Sequence, residues 1–182
     1  MIEGGKGGYL TNLTGLKFEK DTSMLTNISN IDGYEIDIVS STKSGYKKAN
    51  ILYGGKLVAK CYRQHGFYDL LKENGINWKD IVSKKLLPDD TIFVIMRDTF
   101  FIIECKFQKV SGSVDEKLQT CDFKKKQYQK LLKPLNLKVE YVYILSEWFK
   151  KSEYQDVLDY IDSVNCHYRF NEIPLSWFGL PC

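Results

Sequence analysis

The sequence lacks the long apolar segments that membrane-spanning helices require. Its apolar runs, such as Phe100–Ile103, are far shorter than the roughly 20 residues needed to cross a bilayer. It also lacks a Cys-x-x-Cys pair, and its five cysteines are an odd number dispersed along the chain, which argues against a disulfide framework or a structural zinc site. We therefore expect a cytoplasmic protein with no membrane association.

Internal repeats, low-complexity segments and proline-rich linkers are absent as well, and the four prolines fall at the ends of predicted elements. Hydrophobic residues make up 43% of the chain and charged residues 27%, as in ordinary globular proteins. A length of 182 residues suffices for one hydrophobic core and is short for two. We predict one domain spanning residues 1–182.

The hydrophobic patterning predicts an α/β fold. Two β-rich runs, Thr91–Met96 and Thr99–Ile103, flank Arg97-Asp98 and indicate an antiparallel hairpin with a two-residue loop. The other predicted elements are a helix from Thr14 to about Met24, a strand over 35–39, a hairpin over 50–61 that turns at Gly54-Gly55, helices over 67–85, 115–132 and 154–164, and strands over 139–145 and 166–170. Strands mixed with helices in this way favour a central mixed β-sheet flanked by helices.

Charged residues stand at the end of the Thr91–Ile103 hairpin, where a core strand does not favour them. Glu104 and Lys106 are two positions apart and project from one face of their strand. A two-residue loop places Asp89 opposite Lys106 on that face, whereas a three-residue loop brings Asp90 there instead. A buried carboxylate or ammonium needs a partner, so these groups are expected to meet.

Two carboxylates and a lysine at the ends of adjacent strands suit metal-dependent phosphodiester hydrolysis. Asp89 and Glu104, with the Cys105 backbone carbonyl, provide the oxygen ligands that Mg²⁺ prefers. Lys106 is then placed to orient or help deprotonate the attacking water and to stabilise charge on the phosphorus oxygens. The alternative is a Glu–Lys pair at a strand end that needs no metal.

Pro88-Asp89, followed after fourteen residues by Glu104-Cys105-Lys106, resembles the PD-(D/E)xK motif of a nuclease superfamily that includes many type II restriction endonucleases. Segments such as Thr14–Glu19 and Gly112–Gln119 are similar to parts of small restriction enzymes. The resemblance implies a restriction-endonuclease-like fold and hydrolysis that leaves 5′-phosphates. It also implies that Glu19, on the first helix, contributes to the metal site and that Gln119 and Lys117 lie beside the scissile phosphate.

The segment 117–138 carries seven lysines and one acid, Asp122. A charge run is commonly a solvated helix face, but a basic helix that follows a nuclease motif is placed to neutralise DNA phosphates. The residues predicted to bind DNA are Lys117, Lys124, Lys125, Lys126 and Lys130.

The leading hypothesis is a Mg²⁺-dependent, sequence-specific endonuclease for double-stranded DNA of type II restriction character, with Mn²⁺ as a possible substitute ion. It implies a homodimer, because typical targets have two-fold symmetry, and a cognate DNA methyltransferase in the same system. One alternative is a Holliday-junction or repair nuclease of the same fold. The other is a DNA-binding module that does not cleave.

Overall fold

A computed structural model of the chain describes residues 24–109 and 114–182. The predicted helix from Thr14 lies outside these residues, except at its end. In chain order the elements are α1 (Met24–Ser29), β1 (Tyr34–Thr42), β2 (Gly45–Tyr53), β3 (Lys56–Tyr62), α2 (His65–Glu73), β4 (Asp90–Val94), β5 (Thr99–Lys106), α3 (Val114–Leu118), α4 (Cys121–Leu132), β6 (Lys138–Leu145), α5 (Gln155–Ser163), β7 (His167–Phe170) and α6 (Leu175–Phe178). Short 3-10 turns cover Trp78–Asp80, Ile95–Arg97, Lys133–Leu135, Glu147–Lys150 and Ser152–Tyr154.

The seven strands form one mixed sheet in the order of the sequence. Strands β1 to β5 are antiparallel to their neighbours, whereas β5, β6 and β7 run parallel. Parallel neighbours need a crossover connection, and α3 with α4 supplies the first while α5 supplies the second. This confirms the predicted α/β class with a central mixed sheet flanked by helices.

Both faces of the sheet are covered. On the first face, which we call the three-helix face, side chains of α2, α4 and α5 pack on alternate residues of β5 and β6, among them Phe100, Ile102 and Tyr143. The opposite face, the two-helix face, packs α1 and α6 on the intervening positions Phe101 and Ile103. The period of two along β5 therefore gives each face its own core.

Two predicted helices are shorter or divided. The helix expected over 67–85 ends at Glu73, where Asn74 and Gly75 follow and Gly75 has a φ of 72°, a backbone conformation that suits glycine. The helix expected over 115–132 is two helices, α3 and α4, separated by Gln119 and Thr120. In the described part of the chain, no helix has both the length and the apolar character needed to span a membrane.

Candidate active site

The residues of the predicted motif lie at one end of β4 and β5. Asp90 pairs with Ile103 and Val94 with Thr99, so one further step of the same register sets Asp89 opposite Glu104. The connection between the strands spans residues 95–98, and the prediction of a two-residue loop that pairs Asp89 with Lys106 is wrong. The observed register differs from the predicted one by two positions. A shift of two leaves every side chain on its predicted face of the sheet, so Asp89 still shares a face with Glu104 and Lys106.

A hydrogen bond fixes the carboxylate of Asp89. Its Oδ2 accepts from the backbone N–H of Cys105 at 2.8 Å, and the residue is half-buried. This bond ties the residue that precedes β4 to the end of β5, beyond the last paired residues of the ladder. Asp89 is therefore held next to the strand that carries Glu104 and Lys106.

Asp90 projects to the other side of the sheet. Its carboxylate accepts from the Tyr46 hydroxyl and, at 2.9 Å, from the backbone N–H of Thr91. Burial raises the pKa of Asp90 to about 7, against the opposing effect of the Tyr46 hydrogen bond. Of the two adjacent aspartates left open by the sequence, Asp89 is the one on the face of Glu104.

Glu104 is 5% exposed and is bonded to two ammonium groups. Nζ of Lys124 lies 2.9 Å from Oε1 and 2.7 Å from Oε2, and Nζ of Lys106 lies 3.0 Å from Oε2. Burial acts to raise the pKa of Glu104, but Lys106 and Lys124 together outweigh it and hold the pKa below its usual value. The carboxylate is therefore kept ionised inside the protein, as a metal ligand must be.

Lys106 is the more firmly anchored of the two lysines. Besides Glu104, its ammonium donates to the Cys105 carbonyl at 3.3 Å and lies 5.9 Å from the centre of the Tyr143 ring. Burial acts to lower the pKa of Lys106, but the negative charges of Glu104 and Asp89 outweigh it and raise the pKa. The group is thus a fixed positive charge between the two carboxylates.

The donor set fits a hard divalent cation in its chemistry. Asp89, Glu104 and the Cys105 carbonyl all offer oxygen atoms, the donors that Mg²⁺ and Mn²⁺ take. Among residues 24–109 and 114–182 no three histidine, cysteine, aspartate or glutamate side chains gather into a metal cluster. Glu19, the acid expected to join the pair, lies outside the described residues.

Gln119 and Lys117 lie on the connection between β5 and β6 and are exposed. The Tyr143 hydroxyl donates to the Lys117 carbonyl at 3.2 Å and so fixes the end of α3 against β6. Gln119 lines a groove of about 510 Å³ together with residues of α5 and the turn before it, among them Glu153 and Asp156. The residues that line this groove include neither Asp89 nor Glu104.

The lysines of α4 separate into two sets. Lys124 and Lys125 point inward, and Lys125 is only 8% exposed, with Nζ 3.0 Å from Oε2 of Glu140 and 2.5 Å from the Asn165 carbonyl. This buried ion pair corrects the prediction that Lys125 faces DNA, because its ammonium is already held by the protein interior.

Lys126 and Lys130 are exposed and line a groove of about 900 Å³ with Asp98 and Lys138. Asp98 directly precedes β5 and Lys138 begins β6, so at the usual rise per residue both lie roughly 17 to 20 Å along the strands from Glu104. The helix therefore carries these two charges away from the motif, and the binding of DNA by Lys126 and Lys130 stays a prediction.

The contact between Lys124 and Glu104 is the feature that the sequence reasoning missed. A helical signal was available, because Lys124 is three residues after buried Cys121 and four before buried Tyr128, on the inward face of α4. The prediction of a DNA-binding helix relied on the number of lysines in the segment. The spacing of Lys124 and Lys125 from the buried residues indicates instead that both side chains lie on the core side of α4.

Comparison with known proteins agrees with this geometry. Residues 45–130 match the family model described as a PD-(D/E)XK nuclease superfamily domain, and this range contains all three motif residues as well as Lys124. Searches of the curated proteins and of the solved structures each found no match. The segment from β2 to α4 thus belongs to the PD-(D/E)XK nuclease superfamily, as the motif predicted.

Proposed function

We propose that the protein is a Mg²⁺-dependent endonuclease for double-stranded DNA, of type II restriction character, that leaves 5′-phosphates. The observation that carries the proposal is the position of Asp89 opposite Glu104, with Lys106 on the same face of the sheet. All three residues lie in the segment that matches the nuclease superfamily model. The two carboxylates and the Cys105 carbonyl would hold the cation, and Mn²⁺ offers a similar preference for oxygen. When bound, the ion supplies an acidified water and neutralises charge on the phosphate.

The residues of the chain have separate tasks in this proposal. Asp89 is oriented by the Cys105 N–H, so one end of its carboxylate is fixed while the group faces the site. Lys106 keeps a positive charge 3.0 Å from Glu104, where it is placed to stabilise the charge that develops on the phosphate oxygens. Glu19 and Gln119 remain proposed contributors through the family resemblance alone.

The proposed DNA surface is the end of the sheet where β4 begins and β5 ends. Lys117 lies on the exposed segment next to this end, and Lys124 reaches it from α4. Lys126 and Lys130 would serve only a duplex that extends along α4, and Lys125 is assigned a structural role. Positive charges that meet phosphates supply affinity without sequence choice.

We also propose that residues 1–182 form one domain and act as a homodimer. The sheet continues through β6 and β7 beyond the matched segment, and the two faces of β6 pack into the same two cores as β5. A dimer follows from targets of two-fold symmetry, which require two sites to cut both strands. Restriction character further implies a cognate methyltransferase that protects the host DNA.

The test is incubation of plasmid DNA with Mg²⁺ and the wild type, Asp89→Ala, Lys106→Ala or Lys133→Ala. We expect discrete linear fragments with the wild type and with Lys133→Ala, whose lysine is exposed beside the distant groove, and a loss of at least about a hundredfold with the other two. Equal cleavage by all four proteins would refute the assigned site.

The same assay separates the rival functions. Cleavage of four-way junctions without cleavage of plasmid would favour the repair nuclease. A gel shift that persists in Lys106→Ala without cleavage by the wild type would favour the binding module. Size-exclusion chromatography with light scattering measures the oligomeric state, and a monomer both alone and on a symmetric duplex would contradict the dimer.

A further inference from the structure

Glu104 is bonded to two lysines, Lys106 and Lys124. The first lysine is part of the nuclease motif, and the second comes from α4, twenty positions away in the sequence. The negative charge of Asp89 also acts on Lys106, so the two carboxylates of the site face two ammonium groups. The two lysines differ, however, in how they are attached.

Lys124 occupies the oxygens that a divalent cation needs. Its Nζ donates to both Oε1 and Oε2, at 2.9 and 2.7 Å, and so occupies both oxygens of the carboxylate. A magnesium ion takes a carboxylate oxygen at about 2.1 Å, and a positive ammonium at the same atoms repels it. Cation binding at Glu104 therefore requires Lys124 to move.

Lys124 is also the lysine that can move. The bonds that the structure gives its ammonium both go to Glu104, and its side chain is 21% exposed at the end of a long flexible stem. Lys106 has additional attachments to the Cys105 carbonyl and to the face of Tyr143. Displacement of Lys124 therefore breaks fewer kinds of contact than displacement of Lys106 would.

We propose that Lys124 is a displaceable counter-ion of Glu104: it neutralises the buried carboxylate in the metal-free protein, competes with the divalent cation for it, and on release contacts a DNA phosphate near the scissile bond. This inference rests on the proposed function. It couples the two ligands, since DNA that attracts the freed ammonium favours cation binding and the cation favours DNA binding.

The first test measures Mn²⁺ binding to the full chain without DNA, by electron paramagnetic resonance of the free ion. The proteins are the wild type, Lys124→Met, Glu104→Gln and the control Lys133→Met. Lys124→Met removes the ammonium that competes for Glu104, so we expect it to bind Mn²⁺ more tightly than the wild type, on the order of fivefold. This factor corresponds to the strength of a partly exposed ion pair. Lys133→Met should match the wild type, and Glu104→Gln should bind much more weakly.

The second test measures the affinity for a DNA duplex in Ca²⁺, which occupies oxygen sites, by fluorescence anisotropy. Here Lys124→Met is expected to bind DNA several-fold more weakly than the wild type, although it binds the ion more tightly, and Lys124→Arg should recover DNA affinity. A residue that only supports the fold would weaken both ligands together. Circular dichroism before each titration checks that every variant is folded.

The outcomes distinguish this inference from the proposed function. If Glu104→Gln loses the ion while Lys124→Met binds Mn²⁺ no more tightly than the wild type, the counter-ion role is wrong and the metal site stands. If Lys124→Met binds duplex as tightly as the wild type, its contact with phosphate is wrong. If the wild type binds no Mn²⁺, or Glu104→Gln binds it equally well, the metal site itself is wrong and this inference fails with it.

Discussion

The carboxylate of Asp89 accepts a hydrogen bond from the backbone N–H of Cys105, at 2.8 Å, and thereby joins the start of β4 to the end of β5. Asp89 and Cys105 lie just past the last residue pair of the β4–β5 ladder, Asp90 and Ile103. The bond therefore extends the pairing by means of a side chain. It sets the Asp89 carboxylate beside Glu104 before any ligand is bound, which is the preorganisation that a metal-dependent site needs.

Asp89→Asn separates the chemical role of this residue from its structural one. The amide oxygen can still accept from the Cys105 N–H, so the fold should keep its stability within about 1 kcal/mol. Loss of the negative charge should lower the Mg²⁺-dependent cleavage rate at least about a hundredfold. Asp98→Asn, at the far end of β5, is the matched control and should cleave like the wild type. A fully active Asp89→Asn would remove Asp89 from the site.

Lys125 and Lys126 are neighbours with different expected effects. Lys125→Met breaks the buried contacts with Glu140 and the Asn165 carbonyl and should lower the free energy of unfolding by about 1 to 3 kcal/mol. Lys126→Met removes an exposed i,i+4 ion pair with Asp122 and should change the free energy of unfolding by less than about 0.5 kcal/mol. Urea denaturation measures both variants. A stable Lys125→Met that loses DNA affinity would restore the original assignment of Lys125 to the DNA surface.

Glu140 should make stability depend on pH in the acid range. A hydrogen bond from His167, opposed by burial and helped by Lys125, lowers the pKa of Glu140 to about 2 from its ordinary value of 4.5. Because the folded pKa is depressed, the stabilisation is present above about pH 4.5 and is lost as the pH falls toward 2.

The measurement is the urea midpoint of the wild type and Glu140→Gln from pH 7 down to pH 2. The difference between the two proteins should be largest at neutral pH and should shrink between pH 4.5 and 2. The comparison cancels the titration of carboxylates that both proteins share. A difference that stays constant over this range would contradict the depressed pKa.

Gly66, at the start of α2, has no room for a side chain. A Cβ there would lie 2.1 Å from the backbone carbonyl oxygen of Lys47 on β2, so the helix would have to move away from the sheet. Gly66→Ala is expected to destabilise the protein by about 1 to 3 kcal/mol. Lys72→Ala, an exposed position on the same helix, should lie within about 0.5 kcal/mol of the wild type. The measurement is the thermal unfolding midpoint of each variant and of the wild type. If Gly66→Ala unfolds at the same temperature as the wild type, α2 packs less closely on β2 than the structure shows.

Much of the fold was predictable because its signals are local. Alternation and β-branched residues indicated β4, β5 and β6, and Gly54-Gly55 indicated the turn between β2 and β3. The division of the helix after β5 was not predicted, because Leu118 and Cys121 are both buried and keep a helical spacing across the break. Spacing alone does not reveal that the backbone turns between them.

The face shared by Asp89, Glu104 and Lys106 was determined by the sequence itself, because the side-chain period of a strand is two and a change of register by two residues leaves each side chain on its face. The exact partner of Asp89 was decided by the four-residue connection at 95–98. The tertiary structure alone decided which lysine meets which acid. Lys124 reaches Glu104, and Lys125 reaches Glu140, because α4 packs across β5 and β6, and contacts between distant segments depend on that packing rather than on any local pattern.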